Sequence, residues 1–374
     1  MPIASTRFAP RFVAWCSLMG WLVAALASGP GLASAATTSA KRATRVKPSA
    51  TAKSGSSSPA SRTKVAAKST KATATAAKKP TVSRRTRLAR ARAAQYAREM
   101  RELAQPRYKV DGTGQLVPDV RAEAAIVYNP VTQEVLYSTN ENVERSIASI
   151  TKVMTTVVFL ENEYDMTRQV LVDPADLRGA SITYLRRGDR LTVGDLLHLT
   201  LIASDNAAAR TLARASLLGP QDFIARMNAK AVELGLTSTH YFDPSGLDSN
   251  NVSSAFDMAR LIAFAASDER ISPIMQKATY SFSTGRRTIS VRSTNRLLGT
   301  DLEVQGGKTG FIRKSGYCLA ALFRLPSHDP IAVVVLGAKS SAARFAEARH
   351  LFNWLSAKTG PVVATAASSL SSHE

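Results

Sequence analysis

The sequence predicts an α+β fold: an antiparallel sheet made from both ends of a folded region, with a helical subdomain between them. Three observations carry this. Short strand-like runs occur near residue 124 and again after about residue 278, the stretch between them reads as successive helices, and an amphipathic helix closes the region. The texture changes at about Asp119, which places one domain of about 240 residues over 119–358.

Taken in order, "AEAAIVYNPVTQEVLYS" is two short strands around an Asn129-Pro130 turn, a hairpin that opens the domain. Helical patterns follow at 149–162, 192–203, 205–215, 220–234 and 254–267, with Thr192 and Ser254 as N-cap residues. After residue 278 the runs "TYSFST", "RTISVRS", "GYCLAALFRL" and "PIAVVVLGAK" read as strands, and "SAARFAEARHLFNWLSAK" as the closing helix. Residues 359–374 are small and polar, too few for a second domain, and are expected to be a disordered tail.

Charge is unevenly spread. Of the formal net +21 over 374 residues, the segment 36–118 holds 20 Lys and Arg against Glu99, Glu102 and Asp111. The folded region is close to neutral. Residues 36–83 are Ala, Ser, Thr, Lys and Pro with almost no large apolar side chain, so they cannot offset their ordering entropy. Residues 36–118 are thus expected to be a basic, largely disordered arm, with a basic helix over 84–105 capped by Ser83 and stopped by Pro106.

Arg7 and Arg11 precede the apolar run "FVAWCSLMGWLVAALA", and Ala33-Ser34-Ala35 offers a small-residue cleavage site. Residues 1–35 read as a signal peptide, because a run of about 16 residues falls short of the roughly 20 that a spanning helix needs. Export directs the chain to the periplasm and turns the basic arm away from nucleic acid, toward anionic envelope polymers or a membrane surface. Cleavage leaves Cys318 as the only cysteine, which excludes an internal disulfide and a cysteine-built zinc site.

Ser149-Ile-Thr-Lys152 places a hydroxyl and an amine three residues apart, neighbours on a helix. Such a pattern is cheap: about two matches are expected in a chain of this length, and Ser61-Arg-Thr-Lys64 is one without a fold to hold it. Context separates them. Ser149 opens the apolar run "ITKVMTTVVFLE", where free N–H groups and the helix's positive end favour developing negative charge. Burial of Lys152 there disfavours its ammonium and produces a neutral base. Ser204-Asp205-Asn206 follows in a break between helices, and Lys308-Thr309-Gly310 comes beside a strand, whereas its duplicate Lys358-Thr-Gly360 ends the last helix. The glycines of "GGKTG" do not make a phosphate loop, since Leu302 occupies the position of the required first glycine. Neither G-x-S-x-G nor H-E-x-x-H occurs, and the five histidines are scattered, so a Ser-His-Asp triad or a zinc hydrolase has no support.

These three motifs in this order resemble the signature of penicillin-binding proteins and serine β-lactamases. "SIASITKVMT", "LRRGDRLTVGDLLHLTLIASDNAAA", "GLDSNNVSSAFDMARL" and "VQGGKTGFIRKSGYCLA" narrow the resemblance to the low-molecular-mass D-alanyl-D-alanine carboxypeptidases, over residues 120–357. "TNRLL", Phe311, Cys318 and the lack of a C-terminal β-domain resemble the DD-endopeptidase branch; the basic arm lies outside the resemblance.

The resemblance implies a penicillin-binding-protein fold and a peptidase that attacks a D-Ala carbonyl of peptidoglycan stem peptides through Ser149, with Lys152 as base. It implies an oxyanion site at the N–H groups of Ser149 and Phe311, and Ser204 as proton relay to the leaving amine. Asn206 would hold the peptide backbone, Lys308 would supply positive potential, Thr309 would bind the carboxylate, and Gly310 and Phe311 would complete the substrate site. It implies β-lactam antibiotics as covalent inhibitors, and no cofactor. A carboxypeptidase releasing terminal D-Ala is the alternative. A β-lactamase with S-D-N needs E-x-x-L-N to activate water, and 206–308 holds none, so slow acylation without rapid turnover is expected. A non-catalytic envelope-binding protein is disfavoured by the intact motifs.

Overall fold

The computed structural model describes residues 83–162 and 165–359; the expected signal peptide, the arm before residue 83 and the tail from residue 360 lie outside the described residues. The central sheet has five strands: β1 (Ala124–Asn129), β2 (Glu134–Thr139), β3 (Glu303–Ile312), β4 (Gly316–Arg324) and β5 (Pro330–Ala338). They pair antiparallel in the order β3-β4-β5-β1-β2, so the first and last thirds of the domain share one sheet. This is the expected α+β arrangement.

Both faces of the sheet are covered, which is why the strand sequences read as continuous apolar runs rather than as alternation. In register, Val127, Val333 and Ala321 lie in one row and pack with Phe345, Leu351 and Phe352 of the closing helix. Their neighbours Ile126, Val334 and Ala320 face the opposite way, into the core of the helical subdomain. Apart from two four-residue helical turns, the α-helices among the described residues are α1 (Arg84–Ala104), α2 (Thr151–Phe159), α3 (Val193–His198), α4 (Asn206–Ala215), α5 (Gly219–Glu233), α6 (Ala255–Ser267) and α7 (Ser341–Thr359). Thr192 caps α3 in a reciprocal capping box with Asp195, and Ser254 caps α6.

Three differences from the sequence reading matter for the site. Lys308-Thr309-Gly310 does not merely adjoin a strand: it lies inside the ten-residue edge strand β3, which its glycines had hidden. The helix expected over 192–203 ends at His198 and continues as a π-helical turn, Leu199–Ala203. The segment expected to be largely disordered up to residue 118 contains, besides the expected helix α1, a hairpin of Tyr108–Val110 with Leu116–Pro118, fastened by Tyr137 Oη donating to the Pro118 carbonyl at 3.0 Å. Among the described residues no helix is long and apolar enough to cross a membrane.

Candidate active site

Ser149 sits in a 3-10 turn, Ala148–Ile150, that runs directly into α2. The turn is forced into shape. Ala148 has φ of 48°, and a Cβ on Gly246 would stand 2.1 Å from the Ala148 carbonyl oxygen, so only glycine fits behind it. One turn on, Lys152 is wholly buried, its Nζ 2.9 Å from Ser149 Oγ.

Lys152 Nζ has two further partners, Asn206 Oδ1 at 2.7 Å and the Ser245 carbonyl. Burial brings its pKa down to about 7, against the opposing pull of Asp243 and Asp205, with Arg210 adding to the depression. A neutral amine has two hydrogens and one lone pair. Asn206 Oδ1 and the Ser245 carbonyl can only accept, so they take both hydrogens and the lone pair is left for the Ser149 hydroxyl, which then donates. Asn206 is held in the required orientation by Nδ2, which donates to the Ala180 carbonyl at 2.7 Å. Both polar ends of Asn206 are therefore engaged inside the protein. The backbone-holding role expected for it would require exchanging one of these bonds.

Ser204 follows the π turn in the left-handed region, φ 59° and ψ 33°, which turns its side chain toward β3. Lys308 Nζ donates to Ser204 Oγ at 2.8 Å and to the Thr309 carbonyl at 2.8 Å. Burial, Lys152 and Arg344 together hold the Lys308 pKa well below the ordinary lysine value. Asp205 takes no place in the cleft: it caps α4 by accepting from Ala208 N, and accepts from Thr183 Oγ1 and Tyr184 N as well.

Strand β3 lies against the Ser149 turn. A Cβ on Gly310 would be 2.6 Å from the Ile147 carbonyl and 3.2 Å from Ser149 N, so the glycine is what permits the approach. Thr309 Oγ1 donates to Thr294 Oγ1 at 2.7 Å. Phe311 is half exposed, its ring stacked on Tyr317 with centroids 4.2 Å apart. The structure thus brings Ser149, Lys152, Ser204, Asn206, Lys308, Thr309 and Gly310 together, with the exposed Phe311 next in the strand.

Sequence reasoning did not single out Asp243, Ser245 or Arg344, and touched Thr294 only as the first residue of "TNRLL". Asp243 fastens the 243–251 loop by accepting from Ser245 N, Gly246 N, Asp248 N and Asn251 Nδ2, and so presents the Ser245 carbonyl to Lys152. Nothing in a single sequence marks a loop carbonyl. Arg344, in α7, reaches under the sheet to the Gly310 carbonyl at 3.1 Å.

Residues 111–340 match the D-alanyl-D-alanine carboxypeptidase family. The chain belongs to this family of serine peptidases. It is similar to the D-alanyl-D-alanine endopeptidase of Pseudomonas aeruginosa, at 33% identity over 255 residues, 67% of this chain and 81% of the relative. It is also similar to the D-alanyl-D-alanine endopeptidase of Escherichia coli, at 32% identity over 259 residues, 68% of this chain and 83% of the relative. Among solved structures, penicillin-binding protein D2 from Listeria monocytogenes in its cefotaxime-bound form is 30% identical with a TM-score of 0.56, over 64% of this chain and 98% of that one. Family membership makes the chain a serine hydrolase of the penicillin-binding-protein fold, and every element that carries the three motifs falls within the matched residues.

Proposed function

We propose that this family member is a periplasmic DD-endopeptidase that opens D-Ala-containing cross-links of peptidoglycan through an acyl-enzyme on Ser149. The observation that carries the chemistry is the buried Lys152, its two hydrogens taken by carbonyl oxygens and its lone pair aimed at Ser149 Oγ, 2.9 Å away. Endopeptidase rather than carboxypeptidase specificity is supported by the two similar endopeptidases. Carboxypeptidase activity, release of terminal D-Ala, is the second reading, favoured by the name of the matched family.

In this reading Ser149 Oγ forms a bond to the D-Ala carbonyl carbon while its proton passes to Lys152 Nζ. The oxyanion lies between the N–H groups of Ser149 and Phe311, where each donor contributes about 3 kcal/mol to the transition state. As the C–N bond breaks, Ser204 hands its proton to the leaving amine and takes up the one held by Lys152, which is neutral again; Ser204 Oγ accepts from Lys308, which leaves its own hydrogen to donate. Lys308 and Thr309 receive the substrate carboxylate, Gly310 keeps β3 close, Phe311 flanks the peptide, and Asn206 orients Lys152. Water activated by Lys152 then releases the acyl group. β-Lactams enter by the same attack, a reading supported by the cefotaxime-bound relative.

The basic arm attracts anionic envelope polymers. In helical projection Arg87, Arg90, Arg98 and Arg101 of α1 share a stripe, opposite the side that carries Tyr96, Met100 and Leu103, and all four are exposed. Acylation by a labelled penicillin tests the central reading: one adduct is expected, on Ser149, and a Ser149→Ala protein that still labels would contradict it.

A further inference from the structure

Arg344 is a guanidinium buried where its charge has no counter-ion. It is 7% exposed, and among the described residues no carboxylate forms an ion pair with it. Burying an unpaired cation costs several kcal/mol unless its donors are used. Here only part of them is used: Nη1 donates to the Gly310 carbonyl at 3.1 Å and to the Cys318 carbonyl at 3.3 Å on the sheet, and Nη2 to Ser341 Oγ of α7 at 3.3 Å, while Nε is buried without a partner. Gly310 and Cys318 are register partners on β3 and β4, so one cation clasps both strands at the level of Ser149. The aromatic rings of Tyr317 and Phe345 flank the guanidinium at 5.6 and 4.7 Å, holding it in place. Burial lowers its pKa to about 10, so it stays charged at neutral pH.

The Gly310 carbonyl belongs to the same peptide unit as the Phe311 N–H. In a trans peptide the two point in opposite directions, so fixing the carbonyl toward Arg344 fixes the N–H toward the face on the other side. The Ser149 turn lies against this peptide: a Cβ on Gly310 would stand 3.2 Å from Ser149 N. A charged donor on the carbonyl also polarises the amide and strengthens its N–H as a donor. We propose that Arg344 is a positioning residue for the oxyanion site: it aims and polarises the Gly310–Phe311 peptide from below, without touching the substrate. The inference rests on the proposed use of the Phe311 amide.

The test uses the enzyme with its arm, acylated by a cephalosporin carrying carbon-13 at the β-lactam carbonyl, and reads the infrared stretch of the acyl carbonyl. Wild type should show one band, at low frequency because two donors hold the oxygen. In Arg344→Met that band should move to higher frequency and the acylation rate constant should fall about tenfold, a fraction of the loss seen when an oxyanion donor is removed outright. Arg344→Lys, which restores a charged donor, should recover part of both. Should Arg344→Met fail to fold, the Lys and Gln variants give the same reading. An unmoved band in a folded variant would overturn the proposal, as would weaker cephalosporin binding with an unchanged acylation rate constant, which would put the guanidinium on the ligand instead. If wild type itself gives no Ser149 acyl band, the proposed function falls, and this inference with it.

Discussion

Lys308 Nζ donates to Ser204 Oγ across 2.8 Å, joining residues 104 positions apart in the chain. The contact commits the serine's lone pair and frees its hydrogen, and it holds a side chain whose backbone lies in the strained left-handed region.

Lys308→Met should therefore slow acylation about a hundredfold, in the range lost with a positioned acid–base group. The unfolding midpoint should hold or rise, because the apolar chain fills the space without burying an amine. Rapid mixing with a fluorescent penicillin and a thermal melt check the two halves.

The Lys152 pKa of about 7 predicts a pH profile. Only the neutral amine accepts the Ser149 proton, so acylation should rise roughly tenfold per pH unit below 7 and level off above it. Asp243 holds that pKa up, so in Asp243→Asn the midpoint should move to lower pH. The same change weakens the loop's hydrogen bonds, at a cost of about 1–3 kcal/mol in stability. A flat profile between pH 5.5 and 8.5 would contradict a neutral-lysine base.

Gly310→Ala should cost activity far more than stability. The added methyl meets the Ile147 carbonyl at 2.6 Å and Ser149 N at 3.2 Å, so β3 and the Ser149 turn must separate by a few tenths of an ångström or more. Displacement of that size at an oxyanion site should reduce acylation about a hundredfold. Penicillin labelling and calorimetry on one preparation separate the effects.

Replacing Arg87, Arg90, Arg98 and Arg101 with Gln should weaken salt-sensitive binding to anionic lipid vesicles and leave hydrolysis of soluble muropeptides unchanged. Vesicle sedimentation at low and high salt, with a parallel turnover assay, reads both. For an arm truncation the cut belongs before residue 83, because the 108–118 hairpin is tied into the domain through Tyr137.

The chemistry was more legible than the architecture that holds it. Ser149, Lys152, Ser204 and Lys308 stand in motifs whose order and setting separate them from their duplicates. Strand β3 was hidden because Gly306, Gly307 and Gly310 lower strand propensity, yet each has a close neighbour, the Met275 side chain, the Asn295 side chain and the Ile147 carbonyl respectively, and at Gly310 the neighbour is backbone that cannot swing aside. The π turn at Leu199–Ala203 was hidden because the apolar pattern of a helix runs straight through it. Arg344 reads as an ordinary polar position of an amphipathic helix. It becomes buried only when α7 lies across the ends of β3 and β4, a long-range event that no local pattern records.

The central claim, a Ser149 peptidase that opens cross-links, is tested most directly by mass spectrometry of products. The purified enzyme and its Ser149→Ala variant would be given a cross-linked muropeptide dimer and a pentapeptide monomer in parallel. The account predicts dimer converted to monomers by the enzyme and both substrates intact with the variant. Dimer left whole while the monomer loses D-Ala, or cleavage that survives Ser149→Ala, would contradict it.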